Sequence, residues 1–206
     1  SPWQRWTFPS GSRWTRPGSR RSSCGQAVSS SQGCCGADPA RTRAARPTCR
    51  DREGGIFSGS KQRTWQSPGF AQTDAHPVVC VNFEDAVAYT EWLSRQTGKR
   101  YRLLTAQEWR ALAANSPDGA NCKANLADAA YTAEYRERDA LSCRDGAVHT
   151  APVKRFEPGR TGLYDMVGNV REWVSDCDAK CDKRLAMGTG WVSTKKAPQT
   201  RLVARS

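Results

Sequence analysis

No apolar run in this 206-residue chain is long enough for a secretory h-region or a membrane span, so neither a signal peptide nor a helical anchor is visible. Aliphatic side chains are scarce as well. Hydrophobic residues make up 37% of the sequence, low for a fully globular chain, and this argues against an architecture of long amphipathic helices. There are nine cysteines but no Cys-x-x-Cys pair. A zinc site drawn from Cys24, Cys34, Cys35 and Cys49 therefore has no spacing to support it. Lysine is missing from the first 50 residues, which carry nine Arg and one Asp and so hold +8 of the net +12. The basicity belongs to that segment, and the rest of the chain gives no electrostatic reason to bind nucleic acid.

What is present divides into two parts. Residues 1–50 are built from Ser, Arg, Gly, Pro, Ala, Cys and Trp, with Ala27-Val28 as the only aliphatic pair. Such a segment cannot bury enough surface to offset its ordering entropy, so it is predicted to be a disordered basic tail. The same composition arises when GC-rich codons are read out of frame, so a mis-predicted start is a second reading. Arginines interleaved with Trp3, Trp6 and Trp14 offer the one route to nucleic acid, by stacking and charge neutralisation. Residues 51–206 read as a domain, incomplete at both ends, in which eight Trp and 17 Gly in the chain suggest loops pinned by aromatic anchors.

Within the domain, residues 51–75 read as a lead-in loop and His76 to Val81 as a short buried strand opened by Pro77. Asn82 followed by Asp85 predicts a capped helix that Gly98 stops, with Ala86, Val87, Tyr89, Trp92 and Leu93 as its core face. Thr105 followed by Glu108 repeats the signal for a shorter helix that buries Trp109, Leu112 and Ala113 and breaks at Asn115 to Gly119. Beyond it helical periodicity fades. The fold class is α+β: two short helices and much irregular backbone.

The densest stretch is Gly162 to Trp173. Leu163, Tyr164, Met166, Val170 and Trp173 favour burial, whereas Asp165 and Glu172 resist it unless paired or metal-bound. Gly168-Asn169 tolerates positive φ, so the chain is expected to turn there and fold the two carboxylates toward each other. Two carboxylates with freed carbonyls make the oxygen-rich site that Ca²⁺ prefers; acids at a solvated turn are the alternative.

Four runs, His76 to Tyr89, Tyr101 to Arg110, Thr150-Ala-Pro-Val153 and Gly162 to Trp173, resemble the formylglycine-generating enzymes, or sulfatase-modifying factors, in type, order and spacing. The resemblance covers about residues 65–206 and implies a variant of the C-type lectin fold. It also implies structural calcium at two places. The first set matches the Asp165 and Glu172 side chains with the Gly168 and Val170 carbonyls. The second matches the Asn125 and Asp145 side chains with the Leu126 and Ala147 carbonyls. Asp165 stands where the family often has Asn, and a carboxylate holds Ca²⁺ better than an amide.

The resemblance does not carry over the family's catalytic pair. Members that oxidise a sulfatase cysteine hold Cu(I) between two thiolates just after a Gly-Gly-Ser-aromatic motif. Here Gly188-Thr-Gly-Trp191 leads to Ser193 and Pro198 at those positions, so copper is not expected and no catalytic residue is assigned. Iron-dependent relatives use His ligands from a preceding helical domain, and only His76 and His149 occur here. Cys122 and Cys143 bracket the second calcium set, while Cys177 and Cys181 follow the first. Disulfides there suit an exported or periplasmic protein, and free thiols suit a cytosolic one. The reading is a calcium-stabilised binding or structural module for a protein or glycan ligand, with no membrane partner. A protein-cysteine oxidase, or another oxygen-dependent oxidoreductase of the family, is the alternative.

Overall fold

The computed structural model describes residues 50–53, 56–59, 63–117, 119–136, 139–194 and 200–204. All of them belong to one compact unit, Arg43–Ser206. The expectation of disorder over residues 1–50 lies outside the described residues, apart from Arg50 itself.

Strands β1 (Arg50–Glu53) and β2 (Ile56–Gly59) form an antiparallel hairpin, registered from Arg50↔Gly59 to Glu53↔Ile56. Part of the segment read as a lead-in loop is therefore strand. The Gly54-Gly55 dipeptide between the strands is a hairpin signal that short flanks, the first of them fully charged, obscured. The expected strand at His76 to Val81 is irregular and half-buried instead. Its backbone is served by side chains: Gln72 Nε2 donates to the Pro77 carbonyl at 3.0 Å and Trp173 Nε1 to the Val81 carbonyl at 3.2 Å. Cys80 takes φ 61°, which no strand accommodates.

Helix α1 (Phe83–Thr97) starts at the Asn82–Asp85 capping box and ends at Gly98 with φ 68°. Its apolar face is only half-buried, with no fully buried residue, so it lies over the domain and does not run through its core. Helix α2 (Ala106–Ala113) starts at the Thr105–Glu108 capping box and buries Ala106 and Trp109 completely, Leu112 and Ala113 in part. A third helix, α3 (Ala129–Tyr135), corrects the count of two. Asp128 caps it, accepting from the Ala130 and Tyr131 N–H groups at 2.8 and 2.9 Å, and the helix is too short to show periodicity.

Strands β3 (Glu172–Cys177), β4 (Lys183–Met187) and β5 (Thr200–Ala204) form an antiparallel sheet with β4 in the centre. The segment before α2 is sewn to β3: Ser175 N–H donates to the Leu104 carbonyl at 2.8 Å, and Ala106 N–H to Asp176 Oδ2 at 2.8 Å. This seats Trp109 on the sheet against Met166, Val174 and Met187, the centre of the core. A buried Trp removes roughly 150–250 Å² from water, so this one side chain anchors α2 with several kcal/mol. Among the described residues no helix is long and apolar enough to cross a membrane.

Candidate functional site

The turn expected at Gly168-Asn169 is present, with φ of 85° and 59°, and Asp165 also lies at positive φ, 58°. Glycine is required at 168 on two counts. Its φ is left-handed, and a Cβ there would meet the Asn125 carbonyl oxygen at 2.5 Å. The Gly168 N–H donates to Thr189 Oγ1 at 2.9 Å, which ties the turn to the segment after β4.

Asn169, 1% exposed, is the hub. Its Oδ1 accepts from Ala151 N–H at 2.9 Å and from Asn125 Nδ2 at 3.2 Å, and its Nδ2 donates to the Ala151 carbonyl at 3.1 Å. Its backbone N–H donates to the Asn125 carbonyl at 2.7 Å, and its carbonyl accepts from Trp191 N–H at 2.8 Å. Sequence reasoning treated Asn169 only as a turn former, because positive-φ tolerance is visible in sequence and long-range partners are not.

Asp165 and Glu172 are brought within electrostatic reach of each other. Burial raises the Glu172 carboxyl to about 7; Trp109 Nε1, donating at 2.6 Å, pulls it back down, and the charge of Asp165 pushes it up. Burial likewise raises Asp165, against the Lys154 N–H and the Asn169 side chain. Among the described residues neither carboxylate is in an ion pair. Val170 passes over Gly190, where an added Cβ would meet the Val170 Cα at 3.7 Å.

The second set is equally enclosed: Asn125, Leu126 and Asp145 are buried and Ala147 is half-buried. Asp145 accepts from Leu126 N–H at 3.2 Å through Oδ2 and from Ala147 N–H at 2.8 Å through Oδ1. Burial raises its carboxyl to about 6, and Arg155 Nη2 donates to its carbonyl at 2.9 Å. Asp128, which the sequence did not single out, accepts from Asp145 N–H at 2.7 Å while capping α3. Its position just before an Ala-Ala-Tyr helix start was the available signal. Asn125 Nδ2 donates to the His149 carbonyl at 2.8 Å, but its Oδ1 is buried without a partner.

These observations suit an oxygen-seeking cation. An orphaned amide oxygen costs about 1–3 kcal/mol when left buried, and desolvated carboxylates such as Asp165 and Glu172, in no ion pair among the described residues, are disfavoured as ions. Among the described residues no cluster of three or more His, Cys, Asp or Glu side chains could hold a metal. A cation here would have to draw on amide and carbonyl oxygens too, which is calcium chemistry and not zinc chemistry.

Ser193 is buried and built into a turn: Gly190 N–H donates to its Oγ at 2.9 Å, and Ser193 N–H to the Gly190 carbonyl at 2.7 Å. Pro198 lies outside the described residues. Beside Ser193 stands an aromatic cluster. Phe70 stacks on His149 with centroids 4.6 Å apart, Trp191 meets His149 edge-on at 5.0 Å, and the Tyr135 hydroxyl meets His149 Nε2 at 2.7 Å. Burial lowers the His149 pKa, favouring the neutral ring. Disulfides join Cys122 to Cys143 and Cys177 to Cys181, so neither pair is free thiol; Cys80 is disulfide-bonded too. Glu172↔Met187 and Cys177↔Arg184 mark opposite ends of the β3–β4 hairpin. Cys177 and Cys181 are thus remote from Gly188 to Ser193 and do not replace a reactive pair there.

A family model described as the sulfatase-modifying factor enzyme 1-like domain matches residues 7–205, starting well ahead of the first of the four runs. The chain is 33% identical over 133 residues to a formylglycine-generating enzyme of Thermomonospora curvata, covering 57% of this chain and 40% of that protein. It is 31% identical over 144 residues to the inactive C-alpha-formylglycine-generating enzyme 2 of Bos taurus, covering 63% and 45% respectively. The chain thus spans under half the length of these curated relatives. Among solved structures, PvdO from Pseudomonas aeruginosa superposes with a TM-score of 0.54 at 26% identity, over 78% of this chain and 67% of that one.

Proposed function

The chain belongs to the sulfatase-modifying factor enzyme 1-like family, and from that premise we propose that it is a non-catalytic, calcium-stabilised binding or structural module with a C-type-lectin-like fold. The observation that carries this reading is Ser193. A hydroxyl held by the Gly190 N–H stands where the resemblance calls for a thiolate. Oxygen is a poor donor to Cu(I), and Pro198 has no side-chain donor at all. The 31% identity to a relative named as inactive supports the reading.

Calcium would be held by Asp165 and Glu172 with the Gly168 and Val170 carbonyls, and by Asn125 and Asp145 with the Leu126 and Ala147 carbonyls. When bound it would supply positive charge to carboxylates that burial otherwise pushes toward protonation. Asn125 Oδ1, buried and unpartnered, supports that assignment. The ligand is a protein or glycan on the irregular face near Trp191. Export is proposed on the disulfides, which persist in oxidising compartments.

The competing reading, oxidation of a protein cysteine to formylglycine, draws on the 33% identity to an enzyme of that name. One experiment separates the two. A cysteine-containing sulfatase peptide is incubated with the protein, Cu(I) and oxygen and followed by mass spectrometry. The module reading expects unchanged peptide, and an aldehyde product refutes it.

A further inference from the structure

The β3–β4 hairpin ends in a small ring closed by the Cys177–Cys181 disulfide, a sequence separation of 4. The turn does not depend on that bond. Asp178 N–H donates to the Lys183 carbonyl at 3.0 Å, Asp178 Oδ1 accepts from the Asp182 and Lys183 N–H groups at 2.9 and 3.2 Å, and Cys181 N–H donates to the Asp178 carbonyl at 2.9 Å. The chain-entropy benefit of a disulfide grows with loop length, so this ring contributes less to the fold than Cys122–Cys143, which spans 21 residues. Cys181 also holds φ 53°, a left-handed conformation disfavoured for a residue with a Cβ. The ring sits at an accessible tip, where Ala179, Lys180 and Asp182 are exposed.

An independent observation lies on the neighbouring strand. Arg184 is 8% exposed and directly opposite Cys177. Its guanidinium lies over the Phe83 ring at 4.2 Å, its Nε has no hydrogen-bond partner, and among the described residues no carboxylate pairs with it. Cross-strand partners share a face, with Cβ atoms about 4.5–5.5 Å apart. Arg184, with no carboxylate paired to it among the described residues, therefore starts from the same face of the sheet as Cys177, one strand away. A cation in that place stabilises a thiolate and so makes Cys177 the better leaving group.

We propose that Cys177–Cys181 is a thiol–disulfide exchange site for an external dithiol, with Arg184 positioned to stabilise the Cys177 thiolate that reduction releases. In the first step a thiolate of the dithiol attacks Cys181 Sγ; a new S–S bond forms, the Cys177–Cys181 bond breaks, and its electron pair leaves on Cys177. In the second step the other thiolate of the dithiol attacks its own sulfur in the mixed disulfide and releases Cys181, which takes up a proton. Two electrons pass from the dithiol, which becomes a disulfide, to the protein. The site is at the far end of the hairpin from Glu172 and is independent of the module reading.

The test uses the intact protein and its other disulfide as the internal reference. Protein is equilibrated at about pH 9.5, above the ordinary cysteine pKa of about 8.5 so that released thiols are ionised, with dithiothreitol at graded reduced-to-oxidised ratios and trapped with iodoacetamide. Peptides are then read by mass spectrometry; Lys180 lies between the two cysteines, so trypsin separates them. Cys177–Cys181 should be half-reduced at a ratio about tenfold below that for Cys122–Cys143, the effect of about one pKa unit on a leaving thiolate. R184M should remove that difference, and R184K, which keeps the charge, should retain it. In fully reduced wild-type protein near neutral pH, limiting iodoacetamide should label Cys177 before Cys181, a readout that stands even if R184M does not fold. Coincident half-points in the wild type, or labelling of Cys181 first, would overturn the proposal. A half-point unchanged in folded R184M would remove Arg184 from it.

Discussion

Asn169 and Asn125 hold each other twice: the Asn169 N–H donates to the Asn125 carbonyl at 2.7 Å, and Asn125 Nδ2 donates to Asn169 Oδ1 at 3.2 Å. This pair joins the two loops proposed to bind calcium into one buried polar unit, so disturbing either loop reaches both. Networks of this kind stabilise when complete and are costly when one member is lost.

The first prediction concerns that hub. Asn169→Ala strands the Ala151 N–H, the Ala151 carbonyl and one Asn125 amide hydrogen in a site that is 1% exposed, and it places Ala at positive φ. Each stranded group costs about 1–3 kcal/mol, so a loss of roughly 3–5 kcal/mol is expected in urea denaturation, enough to unfold a marginal domain. A loss below about 1 kcal/mol would mean that the loops are held by something else.

Gly168→Ala tests the turn independently of side-chain hydrogen bonds. The new Cβ would press on Asn125 backbone at 2.5 Å, which cannot rotate away as a flexible side chain could. Strain at positive φ adds about 1 kcal/mol or more. Gly162, also at positive φ but with nothing within 4 Å of its ideal Cβ, is the matched control. Gly162→Ala should cost only the conformational part, and equal losses in the two variants would count against the clash.

How much of this was legible in the sequence depends on the range of the interaction. Both capping boxes, Asn82 with Asp85 and Thr105 with Glu108, follow from residues three apart and were readable, as was the positive-φ turn at 168–169. Helix α3 was missed because seven residues give no periodicity and its cap, Asp128, is also engaged by Asp145 from a distant segment. The run from His76 to Val81 looked like a strand by apolar content alone. Gln72 and Trp173 instead take its carbonyls, and such long-range side-chain service leaves no local trace. The orphaned Asn125 Oδ1, and Arg184 seated over Phe83 with its Nε unpartnered among the described residues, likewise emerge only from packing.

Chelation provides the third prediction. If calcium binds the two loops in the folded state alone, a concentration 100 times the Kd stabilises by about 2.7 kcal/mol per site. For a domain of this size each such site corresponds to a fall in Tm of roughly 5–10 °C on adding chelator, and two sites to about twice that, recovered by calcium but not by equal ionic strength of sodium chloride. A thermal transition indifferent to chelator would leave the loops as hydrogen-bonded turns only.

The last prediction concerns pH in chelator-treated protein and follows from Glu172 and Asp145. Their carboxyls are raised to about 7 and about 6 in the folded state, from 4.5 and 3.8. The folded form therefore binds protons more tightly than the unfolded chain, and the stability this confers is complete below about pH 4 and lost as pH rises through 6 and 7. Metal-free protein should become less stable between about pH 4.5 and 7, by an amount on the order of 3 kcal/mol from Glu172. Asp145 contributes in the same direction, its rise already moderated by the Ala147 and Leu126 N–H groups and by the charge of Arg155. Saturating calcium should flatten that slope, since a bound cation favours the ionised carboxylates. Trp109→Phe gives the residue-level check. It deletes the Nε1–H that donates to Glu172 at 2.6 Å and holds its carboxyl down, so the fall in stability should extend to higher pH. Thermal melts at half-unit pH intervals on the wild type and W109F read both effects. Stability that rises across this window in metal-free protein would place Glu172 in a solvated setting and refute the buried arrangement from which the prediction is drawn.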